Sequence, residues 1–362
     1  MVTILTTMVN GTLYIHIGTH KTGSTTIQNT LSKHTEELER ENIYYLGMLQ
    51  SHARILRSIT KYDQNLTSYI ANEIEHKTSA IESNGVPGHS YILSNEKFTG
   101  DKVTSYNNVG IIAKTLYEAT KHLHLNVKII VFIRRQSDFI ESTYAQRIFS
   151  GESYSFQEFI DIVDIYSFYW DKLIHAYSHY FGADNVIVLR YGKTFLPHKN
   201  SLINIFGKCV SSNFLENYDE TQIANSGFNR QSLELMRTCN KHFNRTDRKF
   251  FRELFKEIEA NKTNKHYDFL SNEQRVELYN HYFNSNENVM KSYFDGTDNG
   301  ALFPMPATDT TTKNDGLEVE DLSVTLMNLI LKLNNGLLNG NGRKSSATSK
   351  KILRILKGIF RS

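Results

Sequence analysis

The sequence has few cysteines and no long apolar run, and each of these absences excludes a class of protein. The two cysteines, Cys209 and Cys239, are too few for a disulfide framework and lack the C-x-x-C spacing of a metal site. No stretch approaches the ~20 apolar residues of a membrane span. Met1–Asn10 lacks the basic start and the small-residue cleavage site of a signal peptide. We therefore expect a cytoplasmic protein in a reducing compartment.

Excess charge of one sign is also scarce over most of the chain. The formal net charge of the 362 residues is +3, which is too small to indicate nucleic acid as a partner. The positive charge is concentrated at the end, because Arg343 to Ser362 contains seven Lys or Arg and no acid. The rest of the chain therefore has an excess of acid.

A loop rich in glycine and hydroxyl groups follows the first apolar run, Leu13–Ile17, and precedes a predicted helix. Such a loop turns backbone N–H groups toward one anion, and the positive end of the helix dipole points to the same place. Gly18 and Gly23 have the spacing of the nucleotide loop G-x-x-x-x-G-K-[ST], but Ser24 occupies the position of its lysine. The one cation, Lys21, lies inside the loop. This position suits a ligand whose reactive group is attached directly to a 5'-phosphate.

The loop resembles the 5'-phosphosulfate loop of the sulfotransferases that use 3'-phosphoadenosine 5'-phosphosulfate (PAPS). That family's loop is Lys-[Ser/Thr]-Gly-[Thr/Ser]-Thr, and this chain has Lys21-Thr22-Gly23-Ser24-Thr25. The resemblance implies that Lys21 neutralises charge on the bridging oxygen and is catalytic. It assigns donor binding to Lys21, Thr22, Gly23, Ser24, Thr25 and Thr26. The alternative is an ordinary βα turn, since the same residue types are common where helices begin.

A second signal lies near the middle of the chain. Val127–Ile133 is nearly continuous in β-branched residues, which predicts a strand buried on both faces of a parallel sheet. It ends at Arg134, and we expect Ser137 or Asp138 to cap a helix that carries Ser142. In the sulfotransferases an Arg at the end of a strand and a Ser eight residues later bind the 3'-phosphate. Arg134 and Ser142 have that spacing, although an Arg after a strand is commonly a solvated surface group.

Strand and helix patterns alternate from Leu13 to Leu189, which indicates crossover connections and a parallel sheet. We expect an α/β fold that is P-loop-like, a three-layer α/β/α arrangement with a central parallel sheet of about four to five strands. Ser24–Arg40 is predicted to be one helix. Beyond Gly192 the chain is predicted to be helical, with a capping box at Ser271–Gln274.

The resemblance also directs attention to a general base, which the acceptor hydroxyl or amine requires. Glu96 follows the predicted strand Tyr91–Ser94, and the reactive crevice of an open α/β sheet lies at the carboxyl ends of its strands. The sulfotransferases use a His or a Glu in this role, so Glu96 is our candidate. The alternative is a surface salt bridge from Glu96 to Lys97 or Lys102.

Two histidines flank the loop and are weaker candidates for the base, His20 and His16. His16 alternates with Ile15 and Ile17, so it is equally interpreted as facing a helix that covers the sheet. The remaining histidines show no metal-ligand spacing, and no Walker B-like Asp follows an apolar strand. We therefore expect no metal.

The chain departs from the small-molecule sulfotransferases in two places. They have a Trp after the loop threonines, where this chain has Ile27 after Thr26. They also close the 3'-phosphate site with a late basic glycine loop, for which Asn225–Arg230 is a candidate substitute. These departures favour the bacterial, carbohydrate-type branch, and on the resemblance alone a glycan or glycolipid acceptor.

The resemblance as a whole implies transfer of a sulfuryl group from PAPS to a hydroxyl or amine of that acceptor. A P-loop kinase using ATP is one alternative, and the position of Lys21 and the Arg134–Ser142 spacing argue against it. The other is a non-catalytic nucleotide-binding adaptor. We expect a sulfotransferase domain over residues 1–305, a linker with a short helix over 306–342 and a basic amphipathic tail over 343–362.

The predicted tail sets four apolar residues on one helical face, with cations toward the other. The apolar residues are Ile352, Ile355, Leu356 and Ile359. Such a helix can lie on an anionic membrane surface, so we expect peripheral contact with the inner membrane face. The alternative is a terminal helix docked on the core, or a disordered segment.

Overall fold

A parallel β-sheet forms the centre of the first of two compact units. The computed structural model describes residues 11–82, 89–198, 200–219, 230–259, 268–294 and 300–306. The first unit consists of the described residues of Met1–Gln136, Val163–Thr221 and Leu278–Met305. The second consists of those of Ser137–Ile162, Gln222–Glu277 and Pro306–Ser362.

The sheet of the described residues has five strands, all parallel. They are β1 (Gly11–Gly18), β2 (Ile43–Gly47), β3 (His89–Ser94), β4 (Asn126–Arg134) and β5 (Val186–Tyr191). Their order is β2-β3-β1-β4-β5. In this register Leu13 lies between Tyr91 of β3 and Val127 of β4. The prediction of an α/β fold with about four to five parallel strands is confirmed.

Helices connect the strands and form most of the rest of the described chain. Those before β5 are α1 (Ser24–Lys33), α2 (Thr35–Arg40), α3 (Gln50–Arg57), α4 (Gln64–Glu82), α5 (Val109–Thr120), α6 (Gln136–Ser150), α7 (Phe156–Ile162) and α8 (Trp170–Phe181). Those after β5 are α9 (Ser201–Cys209), α10 (Asn213–Glu216), α11 (Arg230–Asn240), α12 (Arg245–Glu259), α13 (Asn272–His281) and α14 (Phe283–Tyr293). Short 3₁₀ helices occur at Glu96–Thr99, Lys102–Thr104 and Ala183–Asn185.

Helices of the first unit cover both faces of the sheet. On one face Tyr14, Ile130 and Phe132 pack with Leu31 of α1 and Phe206 of α9 in a buried core. The opposite face is covered by α5 and α8, which pack on each other, and α8 also packs on β4 and β5. Because β1 is followed by α1 on the first face and β3 by α5 on the other, their connections diverge. A crevice is expected where they diverge, at the carboxyl ends of these strands.

Two predicted helix boundaries were wrong. The expected single helix Ser24–Arg40 is interrupted at His34, whose φ of −117° and ψ of 38° are not helical. The ring of His34 packs on Phe214 and Tyr218, with centroids 5.1 and 5.6 Å away, so a distant segment occupies the break. In the second case α6 begins at Gln136, two or three residues earlier than the expected caps Ser137 and Asp138 would place it. At both boundaries, the local sequence pattern does not specify the tertiary contacts of the residues involved.

The helical character beyond β5 was predicted correctly, since the described residues after Tyr191 contain helices and no strand. The capping box is present: Ser271 N donates to Gln274 Oε1 at 2.9 Å, and Gln274 N donates to Ser271 Oγ at 3.2 Å. The candidate loop residues 225–229, residues 307–342 of the expected linker and the whole expected tail lie outside the described residues. Within the described part, no helix is both long and apolar enough to cross a membrane.

Candidate active site at the carboxyl ends of β1, β3 and β4

The loop between β1 and α1 requires glycine at both of its ends. Gly18 has a φ of 97° and Gly23 a φ of 83°, values that side chains disfavour. A Cβ on Gly18 would lie 3.0 Å from Glu96 Cβ, and one on Gly23 would lie 2.4 Å from Leu202 Cδ2. The chain therefore turns sharply at each glycine, and Gly18 brings the loop against the backbone of Glu96.

The loop is fixed to the neighbouring strand β4. The N–H and the hydroxyl of Thr19 both donate to the carbonyl of Phe132, at 2.8 and 3.0 Å. Thr22 Oγ1 donates to Thr19 O at 2.6 Å, and Arg134 Nη1 donates to Lys21 O at 3.2 Å. These bonds hold the shape of the loop from inside the protein, so the shape does not depend on a ligand.

The N-terminus of α1 points out of this loop without a side-chain cap, because its N-cap residue is Gly23. The first N–H groups of a helix have no acceptor within the helix and need one from outside. Here they belong to Ser24 and Thr25, since the N–H of Thr26 already donates to Gly23 O at 2.9 Å. An anion is the natural acceptor at this position, because the helix dipole favours negative charge.

Two cations meet at this loop. Burial, together with the smaller effect of the neighbouring Arg134 charge, lowers the pKa of Lys21 to about 8. The Arg134 guanidinium lies 5.5 Å from the centroid of the Tyr191 ring, and its Nε is buried without a hydrogen-bond partner among the described residues. Two neighbouring positive charges and a buried, unsatisfied donor destabilise the folded protein unless an anion binds to them. This end of the site is therefore suited to a multiply charged anion.

The two arginines that follow β4 have different surroundings. Arg134 donates to the loop, whereas Arg135 Nη1 donates to Pro304 O at 3.3 Å. Ser142, the predicted partner of Arg134, lies in α6 of the second unit and is buried. Arg134 therefore contacts the loop, and the roles of Arg134 and Ser142 in binding the 3'-phosphate stay predictions.

Glu96 begins the 3₁₀ helix that follows β3, in a position set by Asn95. The Asn95 side chain caps this helix by accepting from Lys97 N at 3.1 Å. Glu96 Oε2 accepts from Gln28 Nε2 at 3.2 Å. The alternative of a Glu96–Lys97 salt bridge is not supported, because Lys97 Nζ donates to Gln50 Oε1 at 2.8 Å. Glu96 thus lies next to the loop with an amide partner.

The two candidate histidines are in different environments. His16 is fully buried between Phe132 and Phe206, and Nδ1 lies 2.8 Å from Ser94 Oγ. Burial lowers its pKa to about 3, so it stays neutral. The interpretation of His16 as a residue facing a covering helix is confirmed, because Phe206 belongs to α9. This burial leaves His16 no access to a substrate.

His20 lies in the loop itself and contacts polar groups. Its Nδ1 is 3.2 Å from the Tyr106 hydroxyl and 3.4 Å from Thr99 Oγ1, and its ring stacks on Tyr106. Burial lowers the pKa of His20 well below its ordinary value, and nearby cations lower it further. His20 is therefore neutral at physiological pH.

The structure adds two residues that the sequence did not single out. Gln28 contacts both the carboxylate of Glu96 and the carbonyl of Ser94, the latter at 3.3 Å. Tyr45 has a buried hydroxyl without a hydrogen-bond partner among the described residues, and burial together with the charge of Glu96 raises its pKa to about 12. A signal for Gln28 was present, because it is a polar residue on the apolar face of α1 next to Ile27. Tyr45 gave no such signal.

The described residues contain no group of three or more His, Cys, Asp or Glu that could hold a metal ion. No protein-family profile and no curated protein matches the chain. Among solved structures it is similar to a sulfotransferase from Alicyclobacillus acidocaldarius, with 13% sequence identity and a TM-score of 0.36. That match covers 65% of this chain and 98% of the other. A likeness this distant carries no argument about activity, so the function has to be argued from the site.

Proposed function

We propose that the protein is a sulfotransferase that moves a sulfuryl group from PAPS to a hydroxyl or amine of a carbohydrate or glycolipid acceptor. One observation carries the proposal: Lys21 and Arg134 meet at the uncapped N-terminus of α1, and the Nε of Arg134 is buried without a partner. A site of this kind is incomplete without an anion.

The position of Lys21 favours PAPS over a nucleoside triphosphate. Lys21 is in the middle of the loop, and the helix N-terminus offers only the N–H groups of Ser24 and Thr25 beside it. This arrangement suits the 5'-phosphosulfate of PAPS, held by these N–H groups and by the hydroxyls of Ser24, Thr25 and Thr26. The 3'-phosphate is assigned to Arg134 and Ser142 on the sequence resemblance, and a guanidinium and a hydroxyl are groups that suit a doubly charged phosphate.

The proposed reaction is an in-line displacement at sulfur. The acceptor oxygen or nitrogen forms a bond to sulfur while the bond from sulfur to the 5'-phosphate oxygen breaks, which releases adenosine 3',5'-bisphosphate. The charge of Lys21 stabilises the negative charge that develops on the departing oxygen. Glu96 accepts the proton that the acceptor loses. Gln28 holds the Glu96 carboxylate toward the loop through its 3.2 Å bond to Oε2.

Ligand preference tests the donor assignment. We expect calorimetric titration of the full chain to give tighter binding of adenosine 3',5'-bisphosphate than of ATP without Mg²⁺, by about tenfold or more. A P-loop kinase would prefer ATP, and the preference would increase with Mg²⁺. An adaptor that binds nucleotide without catalysis would bind the bisphosphate and transfer no sulfate from labelled PAPS to a panel of glycans and glycolipids.

Matched variants test the 3'-phosphate assignment. Arg134→Ala and Ser142→Ala should weaken binding of adenosine 3',5'-bisphosphate and leave the affinity for adenosine 5'-phosphate nearly unchanged. Arg135→Ala and Ser150→Ala are the controls, because Arg135 donates to Pro304 and the Ser150 hydroxyl donates within α6 to Gln146. Equal losses for both nucleotides would assign Arg134 and Ser142 to another role.

We further propose that the basic tail brings the enzyme to the inner membrane face, where lipid-linked glycan acceptors occur. The support is the sequence pattern alone, since residues 343–362 lie outside the described ones. Co-sedimentation with anionic lipid vesicles should recover the full chain and leave a chain truncated before Arg343 in the supernatant, and salt should reduce the difference. Equal, salt-insensitive partitioning of both would refute this role.

A further inference from the structure

The single tryptophan of the chain, Trp170, lies at the end of β4. It is the first residue of α8, and its side chain is fully buried. Its indole Nε1 donates to the carbonyl of Arg134 at 2.8 Å. An indole has one donor and no acceptor, so this bond uses its whole capacity for hydrogen bonding. Trp170 is therefore bonded directly to the backbone of the residue that provides the second cation of the site.

The Arg134 carbonyl faces the β1 side of β4. Carbonyls two residues apart on a strand point to the same side, and the carbonyl of Phe132 accepts from Thr19 on the β1 side. β1 ends at Gly18, which pairs with Val131 of β4. The indole N–H of Trp170 thus supplies the next donor along this edge of β4, beyond the bonds from the loop.

Two aromatic rings pack on the indole and hold it in this position. The ring centroids of Phe168 and of Tyr106 are each 6.4 Å from that of Trp170. The hydroxyl of Tyr106 lies 3.2 Å from Nδ1 of His20, in the loop. The indole is therefore packed next to a ring that contacts the loop, and it has little freedom to turn away from β4.

The bond from Trp170 bears on the charge of Arg134 because the peptide plane sets the direction in which the side chain leaves the backbone. Arg134 Nη1 donates to Lys21 O at 3.2 Å, and the guanidinium lies 5.5 Å from the centroid of the Tyr191 ring. An arginine side chain has several rotatable bonds, and a ligand that has to immobilise it binds more weakly. Trp170 fixes the backbone end of this side chain, and Lys21 and Tyr191 contact its other end.

Resting on the proposed function, we propose that Trp170 is a positioning residue of the donor site. Its indole N–H holds the end of β4 so that Arg134 presents its guanidinium to the anionic nucleotide. Trp170 is fully buried and does not touch the nucleotide, so it acts through Arg134. Replacing the indole by a ring without a donor should therefore weaken nucleotide binding only while the side chain of Arg134 is present.

A double-mutant cycle tests this coupling. Trp170→Phe removes the N–H and keeps an aromatic ring, and calorimetric titration of the full chain should show about fivefold weaker binding of adenosine 3',5'-bisphosphate. In the Arg134→Ala background the same change should weaken binding by less than about twofold, because the guanidinium that Trp170 positions is gone. Across this nucleotide and adenosine 5'-phosphate, Trp170→Phe should give the same pattern of losses as Arg134→Ala on a smaller scale. A general loss of structure would not reproduce that pattern.

The matched control is Tyr177→Phe. Tyr177 is fully buried on the same helix, and its hydroxyl donates to the carbonyl of Phe98 at 2.6 Å. The variant therefore removes the same kind of bond, from an aromatic side chain to a backbone carbonyl, with an acceptor outside β4. We expect a lower thermal midpoint and an unchanged affinity for adenosine 3',5'-bisphosphate. The thermal midpoint of each variant also shows whether it is folded.

The unmodified protein allows a second measurement, which does not depend on how well Trp170→Phe folds. Because the chain has one tryptophan, its indole N–H gives one resonance in a ¹⁵N–¹H correlation spectrum. Saturation with adenosine 3',5'-bisphosphate should shift this resonance, since the nucleotide binds the side chain of the residue whose carbonyl accepts from the indole. Saturation of Arg134→Ala should shift it much less.

Three results would overturn the positioning role: equal losses for Trp170→Phe in the two backgrounds, a loss of affinity in Tyr177→Phe as large as in Trp170→Phe, or an indole resonance that moves no more in the unmodified protein than in Arg134→Ala. Failure of the proposed function is a different result. A protein that prefers ATP to adenosine 3',5'-bisphosphate would contradict the donor assignment, and the same cycle with ATP would then show whether Trp170 positions Arg134 for that anion.

Discussion

Two clusters of charged groups, one in each unit, are arranged in opposite ways. In the second unit, Arg275 Nη2 donates to both carboxylate oxygens of Glu141 at 2.8 Å and lies 3.3 Å from Asp268. Glu141 Oε1 also accepts from the N–H groups of Phe269 and Leu270. Each charge there is matched inside the protein, so the cluster stabilises the fold and has little capacity left for a ligand.

In the first unit, the charges of the candidate site are not matched in this way. Arg134 donates to a backbone carbonyl, with its Nε unpaired among the described residues, and Glu96 accepts from the amide of Gln28. Gly18, at the start of the loop, lies directly against Glu96. The unpaired charge of this cluster lies where a substrate can complete it, which is typical of functional sites.

The largest expected effect is on stability in the second unit. Glu141→Ala removes the bidentate acceptor of Arg275 and the acceptor of the N–H groups of Phe269 and Leu270, so we expect a loss of about 3–5 kcal/mol in the free energy of unfolding. Urea denaturation measures it. The control is Glu36→Ala, whose exposed pair with Arg40 at 3.8 Å should contribute nothing measurable. Similar losses in the two variants would show that the buried cluster contributes no more to stability than an exposed ion pair.

Lys21→Ala should have the largest effect on the reaction and no cost in stability. It removes a charge that acts mainly in the transition state, so the activation barrier should rise by about 3 kcal/mol or more. It also removes a half-buried cation next to Arg134, so the urea midpoint should not fall. Steady-state assays with labelled PAPS give the barrier. Near-normal turnover in the folded variant would rule out the donor assignment.

Glu96→Gln preserves the shape of the side chain and removes its ability to accept a proton. We expect turnover to fall by about 100-fold, with little change in the affinity for adenosine 3',5'-bisphosphate. Glu73→Gln is a suitable control. Glu73 of α4 pairs with His52 of α3, with 2.6 Å between Oε2 and Nδ1. Full activity of Glu96→Gln would make His20 the next base to test.

The pH dependence of donor-site binding should report Lys21. Its pKa of about 8 in the free protein lies below the ordinary value, so the cation is present below pH 8 and is lost as the pH rises through 8. The affinity for adenosine 3',5'-bisphosphate should therefore be highest near pH 7, where its phosphates are ionised, and fall by up to about tenfold between pH 7.5 and pH 9. Lys21→Arg should flatten this profile, because arginine stays protonated. A flat profile for the unmodified protein would show that Lys21 is not in contact with the phosphate.

The parts of the site that the sequence predicted are those specified locally. The two glycines and Lys21 are close in the chain, and the apolar run before Arg134 identifies a buried strand. The break at His34 could not be predicted, because it depends on packing against the rings of Phe214 in α10 and of Tyr218. These residues lie about 180 positions later in the sequence. The contact of Gln28 with Glu96 was missed for the same reason, since it depends on how α1 packs against the end of β3.

The two bonds from Thr19 to Phe132 have a consequence for the catalytic cycle. Because β4 holds the loop, the N–H groups assigned to the phosphate in the proposed reaction would be in place both before the donor binds and after the sulfuryl group has left. The loop would then bind the nucleotide product nearly as tightly as the donor. Equal affinity for the two does not lower the barrier of the chemical step. We therefore expect departure of the spent nucleotide to limit the rate of repeated turnover.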